Sequence, residues 1–521
     1  MLRDYLTLRD LIRRAAEKWP DKDAVVDDVA RYSYGELREC VVRMAKLLHA
    51  LGVNKGDRVA LLMPPSTSHV IALFGAIELG AIPVALHVRE SDALLRKVLE
   101  ELAPSLLVYD GAFSNRLDSI KQTETGIRAY VRSISGITPD AEMRAENEVT
   151  IPRDLEAYQP DLEIEPAAMD DTAVIALSSG TTGVPKGVMH THRTLVASGR
   201  YGVKYMMADE NACGLNVFTT AFIGWYNCTL PFLYGGSKIV YLPEWSPAKV
   251  LATIAAEQVS VCFLVPTMWR AVLREVNDST DLSSLRRIGY AGEMMDRSTV
   301  MRLREEISPS IINTYGTTET GSWAGCTVML PEDYRDLNRL ESVGRPGEGV
   351  ELRVIEPGGR VDQQLPPGTD GEIIIRGPSV ASSFWKRAEL TAKVFENGWW
   401  RSGDVGMLDD EGYLYLRGRV DDMIISGGIN VLPTQVEEVL LQHPAVSECL
   451  VIGVPDEEWG ERITAFIVAT EEISEQELRN HVERSELSSY KKPRQYRFLE
   501  SLPRGNTGKA NRKLLRESVV K

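Results

Sequence analysis

One stretch of the chain places small, hydroxylated and basic residues in close succession. Residues 177–187 read Leu-Ser-Ser-Gly-Thr-Thr-Gly-Val-Pro-Lys-Gly and continue the apolar run 173–177, which predicts a buried strand. Glycines permit tight turns, hydroxyls add hydrogen-bond donors, and Lys186 adds positive charge, a combination that suits a polyphosphate. The stretch is not a Walker A loop, because Pro185 and Gly187 replace the residues that flank the lysine there. A flexible surface turn is the alternative. The candidate phosphate-binding residues are Ser178, Ser179, Gly180, Thr181, Thr182, Gly183 and Lys186.

Four further segments place charged or hydroxylated residues at predicted turns. Residues 313–319 (Asn-Thr-Tyr-Gly-Thr-Thr-Glu) combine hydroxyls and a carboxylate, which can hold Mg²⁺ and a phosphate together. Residues 400–404 (Trp-Arg-Ser-Gly-Asp) end on a carboxylate that can accept two hydrogen bonds. Residues 415–424 and 502–512 carry basic side chains. Taken singly, each segment also fits a solvated turn or, at the end of the chain, a basic tail.

In this order, the five motifs resemble those of the adenylate-forming superfamily, which includes acyl-CoA synthetases, adenylation domains of peptide synthetases and luciferases. The resemblance runs from residues 34–37 to Lys509 and is closest to a free-standing acyl-CoA ligase. It implies an α/β multidomain fold. Residues 1–420 would form a large N-terminal domain of layered α/β subdomains plus a small β-barrel-like piece, and residues 421–521 a small mobile α+β C-terminal domain. One motif departs from the family pattern, because Ser402 replaces the usual threonine.

Within the large domain, the resemblance implies a nucleotide and metal site. Glu319 is expected to bind Mg²⁺, together with Thr181. Thr318 is expected to contact phosphate, and Tyr315 to pack near the adenine. The further nucleotide-binding positions are Ala291, Gly292 and Asn313.

Towards the end of the chain, the resemblance assigns residues to the ribose, the hinge and the second catalytic step. Asp404 is expected to accept hydrogen bonds from the ribose hydroxyls, and Arg419 to reach ribose or phosphate. Asp421 would be the hinge between two catalytic states, and the pair Gly427 and Gly428 would line the path of the incoming thiol. Lys509 would bridge the carboxylate, the α-phosphate and a ribose oxygen during adenylation.

The resemblance implies a two-step reaction with ATP, Mg²⁺ and coenzyme A. A carboxylic acid attacks the α-phosphorus, pyrophosphate leaves, and the acyl group then passes to the CoA thiol with release of AMP. Lys509, Glu319 and Thr181 would be catalytic. A basic cluster, Lys491, Lys492 and Arg494, suits CoA phosphates or a solvated face equally.

Two other functions stay open. One is an adenylating enzyme that loads a carrier-protein thiol or an amine. The other is a non-catalytic nucleotide-binding module, against which the intact Lys509, Glu319, Asp404 and Arg419 argue.

The acid is the least determined part of the prediction. The family often has Pro-Leu-Phe-His before its acyl pocket, whereas residues 218–227 read Phe-Thr-Thr-Ala-Phe-Ile-Gly-Trp-Tyr-Asn, with Ala221 at the histidine position. Aromatic walls would shorten the pocket and favour a compact aromatic or alicyclic acid over a medium-chain fatty acid; core packing of the same side chains is the alternative. The candidate pocket residues are Phe222, Trp225, Tyr226 and Tyr290.

The periodicity of the chain predicts the elements that position these motifs. Helical patterns alternate with short β-branched runs through the first three-quarters, as in parallel α/β layers. From about residue 342, short strands separated by Gly/Pro/Asp turns suggest an antiparallel or barrel-like piece. In the last hundred residues, Thr434 and Glu437 have the spacing of a capping box in front of a helix.

Composition limits the classes of function. The 521 residues carry a formal net charge of -15, which argues against a nucleic-acid or anionic-membrane surface. The six scattered cysteines predict reduced, mostly buried thiols in a cytoplasmic enzyme, and His190 and His192 lack helical metal-ligand spacing. No secretory signal or integral membrane segment is expected, and a small-molecule carboxylic acid is the expected partner. The oligomeric state stays open, with a homodimer as one option.

Overall fold

The computed structural model describes residues 7–121, 125–134, 149–159, 165–178, 184–504 and 510–519, with the side chain of Arg153 outside this set. The chain forms two compact units. The first runs to Leu352 and includes Ile375–Trp400, and the second comprises Arg353–Ile374 and the chain from Arg401. The boundary expected between residues 420 and 421 concerns a movement between domains, and it stays a prediction.

The α-helices of the described residues are α1 Arg9–Lys18, α2 Tyr34–Ala50, α3 Thr67–Leu79, α4 Asp92–Leu102, α5 Leu117–Lys121, α6 His192–Tyr205, α7 Ile223–Asn227, α8 Leu230–Gly235, α9 Pro247–Glu257, α10 Pro266–Glu275, α11 Arg297–Arg302, α12 Ala388–Val394, α13 Pro433–Leu441, α14 Glu475–Glu483 and α15 Arg512–Val519. The strands are β1 Asp23–Val26, β2 Arg31–Ser33, β3 Arg58–Leu62, β4 Ile82–Ala85, β5 Leu106–Asp110, β6 Ala129–Ser133, β7 Thr150–Ile151, β8 Thr172–Ser178, β9 Lys186–Thr191, β10 Cys213–Asn216, β11 Lys238–Tyr241, β12 Val261–Leu264, β13 Arg287–Ala291, β14 Ile311–Tyr315, β15 Thr327–Met329, β16 Arg345–Pro346, β17 Glu351–Ile355, β18 Gly371–Arg376, β19 Ser383–Phe384, β20 Phe395–Glu396, β21 Trp399–Leu408, β22 Leu414–Arg419, β23 Ile424–Ser426, β24 Ile429–Val431, β25 Val446–Asp456, β26 Gly460–Ala469 and β27 Gln495–Phe498.

Local sequence explains the first helices. Ser33 and Glu36 form a reciprocal capping box that starts α2. Ser66 caps α3, which ends at Gly80 in the left-handed conformation. All thirteen residues of α3 are buried, as expected of a helix that is apolar around its whole circumference.

Two parallel sheets dominate the first unit. The larger has the strand order β16-β15-β14-β13-β12-β10-β11-β1-β2, and its strands from β14 to β1 are parallel. The second, β4-β3-β5-β6-β7, is parallel throughout. The predicted α/β layering is therefore confirmed. A smaller antiparallel sheet, β19-β9-β8, contains the strand that leads into the glycine-rich stretch.

The strands predicted after residue 342 are present. They form a sheet of order β17-β18-β21-β20, in which β22 pairs antiparallel with β21. The C-terminal segment forms a further sheet, β24-β23-β26-β25, with β27 parallel to β26.

The capping box expected at Thr434 and Glu437 is wrong. Pro433 occupies the first turn of α13, so the cap position falls to Leu432, whose side chain makes no capping bond. Glu437 is buried instead, and its Oε1 accepts a hydrogen bond from the backbone nitrogen of Val451 at 2.7 Å. The Thr434–Glu437 spacing thus marks a hydrogen bond between α13 and β25 and not a helix cap.

Over the described residues, every helix is too short or too polar to cross a lipid bilayer. All six cysteines are free thiols, and only Cys40 is not buried.

Candidate active site

Two predicted nucleotide-binding segments lie at the ends of neighbouring strands. Tyr290 pairs in register with Asn313, and Ala291 pairs with Thr314, across the parallel strands β13 and β14. Ligands of open α/β sheets bind at the carboxyl ends of parallel strands, where both segments leave the sheet. Gly292 follows β13 with φ +86°, a conformation that favours glycine. The structure therefore brings these two segments together.

The loop after β14, residues 316–321, is held by hydrogen bonds along its length; we call it the braced loop. The backbone nitrogen of Gly321 donates to the Thr318 carbonyl at 3.2 Å. The hydroxyl of Ser379 donates to the Thr320 carbonyl at 2.7 Å. Gly321 has φ +66°, and a Cβ there would lie 2.1 Å from the carbonyl oxygen of Ser379. The braced loop therefore admits only glycine at this point.

Glu319 is the candidate metal ligand of the braced loop. Its side chain is half-buried, and its carbonyl accepts a hydrogen bond from the nitrogen of Ala381 at 2.8 Å. Among the described residues, no group of three or more His, Cys, Asp or Glu side chains could hold a metal ion. Mg²⁺ in nucleotide sites typically uses one or two carboxylates together with substrate phosphates, so a single Glu319 fits that ion.

His190 on β9 connects the braced loop to the strand that follows the glycine-rich stretch. Its Nε2 lies 2.9 Å from the carbonyl oxygen of Thr318 and, since a carbonyl only accepts, must carry the proton. Burial lowers the pKa of His190 to about 4, which keeps the ring neutral. Sequence reasoning missed this residue, because its partner lies 128 positions away and no local spacing points to it.

The glycine-rich stretch connects β8 and β9. Ser178 stands opposite Lys186 in their antiparallel ladder, and the nitrogen of Leu177 donates to the carbonyl of Ala221 at 3.3 Å. The Lys186 ammonium lies 5.8 Å from the ring centre of Phe384. Ser179, Gly180, Thr181, Thr182 and Gly183 lie outside the described residues.

In the second unit, Asp404 and Arg419 form a pair. They stand opposite each other in β21 and β22, and their side chains form an ion pair. Ser402 fixes the backbone before Asp404, because its hydroxyl donates to the Ile373 carbonyl at 2.6 Å and accepts from the Asp404 nitrogen at 2.9 Å. Asp404 thus lies inside a strand and not in a turn, and any ribose hydroxyl would share its carboxylate with Arg419.

The predicted hinge and thiol path follow in the same unit. Asp421 is exposed within a 3₁₀ turn, Val420–Asp422. Gly427 and Gly428 form the exposed tip of the β23–β24 hairpin with φ +61° and +78°, as a two-residue hairpin turn requires. A Cβ on Gly427 would lie 3.1 Å from the ring of Trp459, whereas a Cβ on Gly428 would meet nothing within 4 Å.

The basic cluster also belongs to the second unit. The Lys491 ammonium donates to Gln435 at 2.9 Å, and Lys492 pairs with Glu483 at 2.8 Å. The Arg494 guanidinium lies 3.7 Å from the ring centre of Trp459, a cation–π arrangement. Arg494 is therefore the cluster member that lies beside the glycine hairpin.

Lys509 lies outside the described residues, but the chain on both sides of it is fixed. Arg504 and Ala510 form an antiparallel bridge, and the nitrogen of Asn511 donates to the Pro503 carbonyl at 2.8 Å. Arg504 and Ala510, which flank residues 505–509, are therefore adjacent.

Trp225 and Tyr226 are fully buried on α7. The Trp225 ring stacks on Tyr241 with centres 5.9 Å apart and meets the His69 ring edge-on at 4.9 Å. These contacts are those of core packing, and the expected pocket role of both residues stays a prediction.

Phe222 and Tyr290 have different surroundings. Phe222 is half-buried, with its ring centre 5.2 Å from that of His87, and both line a cavity of about 40 Å³ beside Ala221. Tyr290 is buried, and its hydroxyl accepts a hydrogen bond from that of Tyr334 at 3.4 Å. Burial raises the pKa of Tyr290 to about 12, so it stays protonated.

The sequence matches a known family over most of its length. Residues 12–385 match the AMP-binding enzyme family, and residues 435–509 match the AMP-binding enzyme C-terminal domain. The chain belongs to the AMP-binding enzyme family. The second match ends at Lys509, the position assigned from the sequence as the mobile lysine.

Similar AMP-binding enzymes include ligases for different acids. The long-chain-fatty-acid–CoA ligase FadD13 of Mycobacterium tuberculosis is 32% identical over 517 residues, which cover 97% of each chain. A 2-succinylbenzoate–CoA ligase of Bacillus cereus is 30% identical over 513 residues, covering 98% of this chain and 99% of the relative.

Solved structures agree in fold with this AMP-binding enzyme. The anthranilate CoA ligase AuaEII, in complex with anthranoyl-AMP, has a TM-score of 0.82 at 27% identity and covers 99% of this chain and 98% of its own. The O-succinylbenzoate coenzyme A synthetase of Bacillus subtilis, in complex with ATP and a magnesium ion, has a TM-score of 0.81 at 28% identity, covering 98% and 99%.

Proposed function

We propose that this protein is an ATP-dependent carboxylate–CoA ligase that forms an acyl-adenylate and then an acyl-CoA thioester. Family membership over both matched segments supports the reaction class. The observation that carries the site is the braced loop, which holds Thr318 and Glu319 on a fixed backbone after β14. Preorganised groups of this kind stabilise charge that develops in a transition state.

The first step needs donors and positive charge around the α-phosphate. Thr318 and Lys186 supply a hydroxyl and an ammonium group from the first unit, and Thr181 a further hydroxyl. Glu319 would hold Mg²⁺, which neutralises phosphate charge when bound. Lys509 would orient the carboxylate for attack, a contribution of position and electrostatics rather than covalent chemistry.

The second step needs a path for a thiol. We propose that residues 421–521 rotate about Asp421 as a mobile domain, so that Lys509 withdraws and Gly428 approaches the acyl-adenylate. The open space around Gly428 supports this role, because a backbone without a side chain leaves room for a narrow substrate arm. Arg494 beside Trp459 is the group best placed in the second unit to meet a CoA phosphate near that hairpin.

For the acid, we propose a compact aromatic or alicyclic ring in preference to a medium-chain fatty acid. The relatives are named as ligases of long-chain fatty acids and of 2-succinylbenzoate, so sequence similarity alone does not decide between a fatty acid and a ring-containing acid. Phe222 supports the compact acid, since its half-buried ring occupies space beside Ala221 where the family often has a histidine.

A panel of carboxylic acids with ATP and Mg²⁺ tests the reaction. We expect acid-dependent pyrophosphate release, followed by AMP release on addition of free CoA, with benzoate and cyclohexanecarboxylate turned over faster than octanoate. Pyrophosphate release without CoA-dependent AMP would instead favour a carrier-protein thiol or an amine as acceptor. No acid-dependent pyrophosphate from any acid would overturn the proposal.

Lys509→Ala tests the assigned lysine. We expect pyrophosphate release to fall by about 100-fold or more, because the residue contributes charge stabilisation in the transition state. Lys513→Ala is the matched control, since Lys513 is exposed on α15 and has no assigned role. Equal rates in both variants would contradict the assignment.

We also propose that the protein works in the cytoplasm, where its free thiols remain reduced. A homodimer stays a prediction, which light scattering of the purified protein tests directly.

A further inference from the structure

The C-terminal sheet of the second unit is covered unequally on its two faces. On one face, Val436 and Leu440 of α13 and Leu478 of α14 pack against apolar side chains of β25 and β26. On the other face, the short helix α15 contributes Leu515 to the cluster that contains Phe466. Beside α15, this second face remains open to solvent along β27.

The open part of this face forms a cavity of about 670 Å³ between β27 and α15, which we call the C-terminal groove. This volume falls within the range of about 300–1,000 Å³ that is common for small-molecule sites. Phe498 is 44% exposed at the groove, so an aromatic wall faces solvent. A concave apolar surface of this kind indicates a binding site. Its apolar walls are Phe466, Phe498, Leu499, Leu515 and Val519.

Among the described residues, one charged side chain lines the C-terminal groove, that of Arg497. Arg497 stands in register with Phe466 across the parallel strands β27 and β26, and its guanidinium lies 5.8 Å from the Phe466 ring centre. The preceding Tyr496 belongs to the core on the opposite face, so Arg497 occupies a strand position that faces α15. It makes no ion pair with any residue in the described ranges. A cation therefore lies on an apolar wall without a neighbouring carboxylate from that part of the chain.

The C-terminal groove is separate from the thiol path proposed at the glycine hairpin. That hairpin meets β26 at its first residue, Gly460, whereas Arg497 pairs with Phe466, six residues further along the strand. Six residues of a strand span about 20 Å. A ligand in the groove therefore does not need the groups assigned to the thiol path.

We propose that the C-terminal groove binds an organic carboxylate with an apolar body, whose carboxylate pairs with Arg497. The planar guanidinium matches a carboxylate in geometry, and hydrogen bonds between charged partners are stronger than neutral ones. The apolar body removes the walls of the groove from water, which is favourable in proportion to the area covered. An inorganic anion satisfies only the charge, and a neutral hydrocarbon covers only the walls. The inference goes beyond the proposed function, because this second site needs neither ATP nor catalysis.

Hydrogen exchange of the full chain without ATP locates the ligand. Decanoate is the probe, since it combines one carboxylate with a flexible apolar chain. At ten times its dissociation constant, we expect decanoate to slow exchange of the amides of residues 495–499 and 512–519 about tenfold, because local opening then requires release of the ligand. Decanol, which has the chain without the charge, is expected to protect these amides less at the same concentration. Slowing confined to the first unit, or equal slowing by both compounds, would overturn the proposal.

Arg497→Gln tests the charge. We expect the dissociation constant of decanoate, read from the exchange of residues 495–499, to rise about tenfold, the size of a hydrogen bond between charged groups. Decanol binding is expected to change less than twofold. Arg497→Lys keeps the charge without the planar fork and is expected to lie between the two.

Arg484→Gln is the matched control. Arg484 is exposed on the same unit and lies outside the groove, so decanoate binding is expected to stay within twofold. An Arg497→Gln variant that binds decanoate as well as this control does overturns the proposal.

Ser518→Trp tests the apolar part of the C-terminal groove. Ser518 is exposed on α15 and lines the groove, and its hydroxyl donates within the helix to the Leu515 carbonyl at 2.7 Å. The substitution therefore removes no hydrogen bond to the sheet, and we expect an unchanged melting temperature with loss of the decanoate effect on residues 495–499. Unchanged protection by decanoate would show that the ligand lies elsewhere.

The groove as an interface between two copies of this chain is the competing outcome. In that case decanoate gives no slowing, and exchange of residues 495–499 rises when the protein is diluted, which overturns the proposal. Failure of the ligase proposal is distinguishable, because none of these measurements involves turnover. A chain that releases no pyrophosphate with any acid can still bind decanoate at Arg497, and an active ligase can fail to do so.

Discussion

The braced loop of the first unit and the glycine hairpin of the second are both built around left-handed glycines, yet their surroundings differ. A Cβ on Gly321 would lie 2.1 Å from the Ser379 carbonyl, whereas a Cβ on Gly428 would meet nothing within 4 Å. The braced loop also receives a hydrogen bond from the buried His190. The same residue type therefore serves close packing in one unit and open access in the other.

This difference matches the two half-reactions that we propose. Adenylation develops charge on phosphate oxygens and gains from donors that need no rearrangement. Thiol attack requires a substrate arm to enter and leave, so an exposed hairpin tip suits it. The comparison leads to four predictions.

The largest effect is expected for Gly321→Ala. The added methyl group overlaps the Ser379 carbonyl and forces alanine to φ +66°, so we expect a loss of about 3–5 kcal/mol in the free energy of unfolding. Pyrophosphate release is expected to fall about 100-fold, since the backbone of Thr318 and Glu319 shifts. Gly52→Ala is the control, with φ +84° and open space. Urea unfolding of both variants measures the difference. Equal losses of unfolding free energy in Gly321→Ala and Gly52→Ala would show that the overlap with the Ser379 carbonyl does not contribute.

The pH dependence of stability is expected to follow the buried histidines of the first unit. Burial lowers the pKa of His190 to about 4 from its ordinary 6.5. Between these values the unfolded chain binds a proton that the folded chain does not. The contribution of His190 to the free energy of unfolding is therefore complete above pH 6.5 and is lost as pH decreases towards 4. His190 alone accounts for about 3 kcal/mol over this interval. Urea unfolding at a series of pH values measures the slope of the free energy of unfolding against pH, which gives the number of protons taken up on unfolding. In His190→Gln this number is expected to be smaller by about one.

His190→Leu is expected to act on the braced loop selectively. It removes the donor to the Thr318 carbonyl, which costs about 1–3 kcal/mol and lowers pyrophosphate release about tenfold. His190→Gln can still donate and is expected to retain most of the activity. His69→Leu is the contrast, because both ring nitrogens of the buried His69 lack a hydrogen-bond partner among the described residues. That variant is expected to be neutral or stabilising, and a loss equal to that of His190→Leu would contradict the selective role.

The smallest effect is expected for Gly428→Ala. Because a Cβ on Gly428 would meet no other atom within 4 Å, the substitution costs only the strain of the left-handed backbone conformation, about 1–2 kcal/mol. We expect adenylation to stay within twofold and thioester formation to slow about three- to tenfold. Parallel assays of the two half-reactions measure this, and a larger effect on adenylation would reverse the assignment of the hairpin.

Much of the fold and part of the candidate site follow from local sequence. The capping residues Ser33 and Ser66 and the apolar runs of β3 to β5 mark their elements directly, because caps and periodicity act over a few residues. Glu319 lies in a turn after β14, as predicted for its segment, whereas residues 313–315 of that segment belong to the strand.

The remaining features depend on contacts between distant segments. His190 gains its role from Thr318, and Glu437 from Val451 and Arg512, at separations that no spacing rule covers. The capping box failed for a local reason, since Pro433 starts the helix earlier than the Thr434–Glu437 spacing suggested. The role of Trp225 and Tyr226, in a pocket or in a core, also depends on the surrounding fold, because local sequence does not decide which side of a short helix faces a core.

The pairing of Ser178 with Lys186 has a consequence for evolution and engineering. Since the two residues face each other in an antiparallel ladder, the segment between them departs from and returns to a single rung. Exchanging residues 179–185 for those of a related ligase would therefore test the proposed phosphate-binding role while Ser178 and Lys186 stay paired.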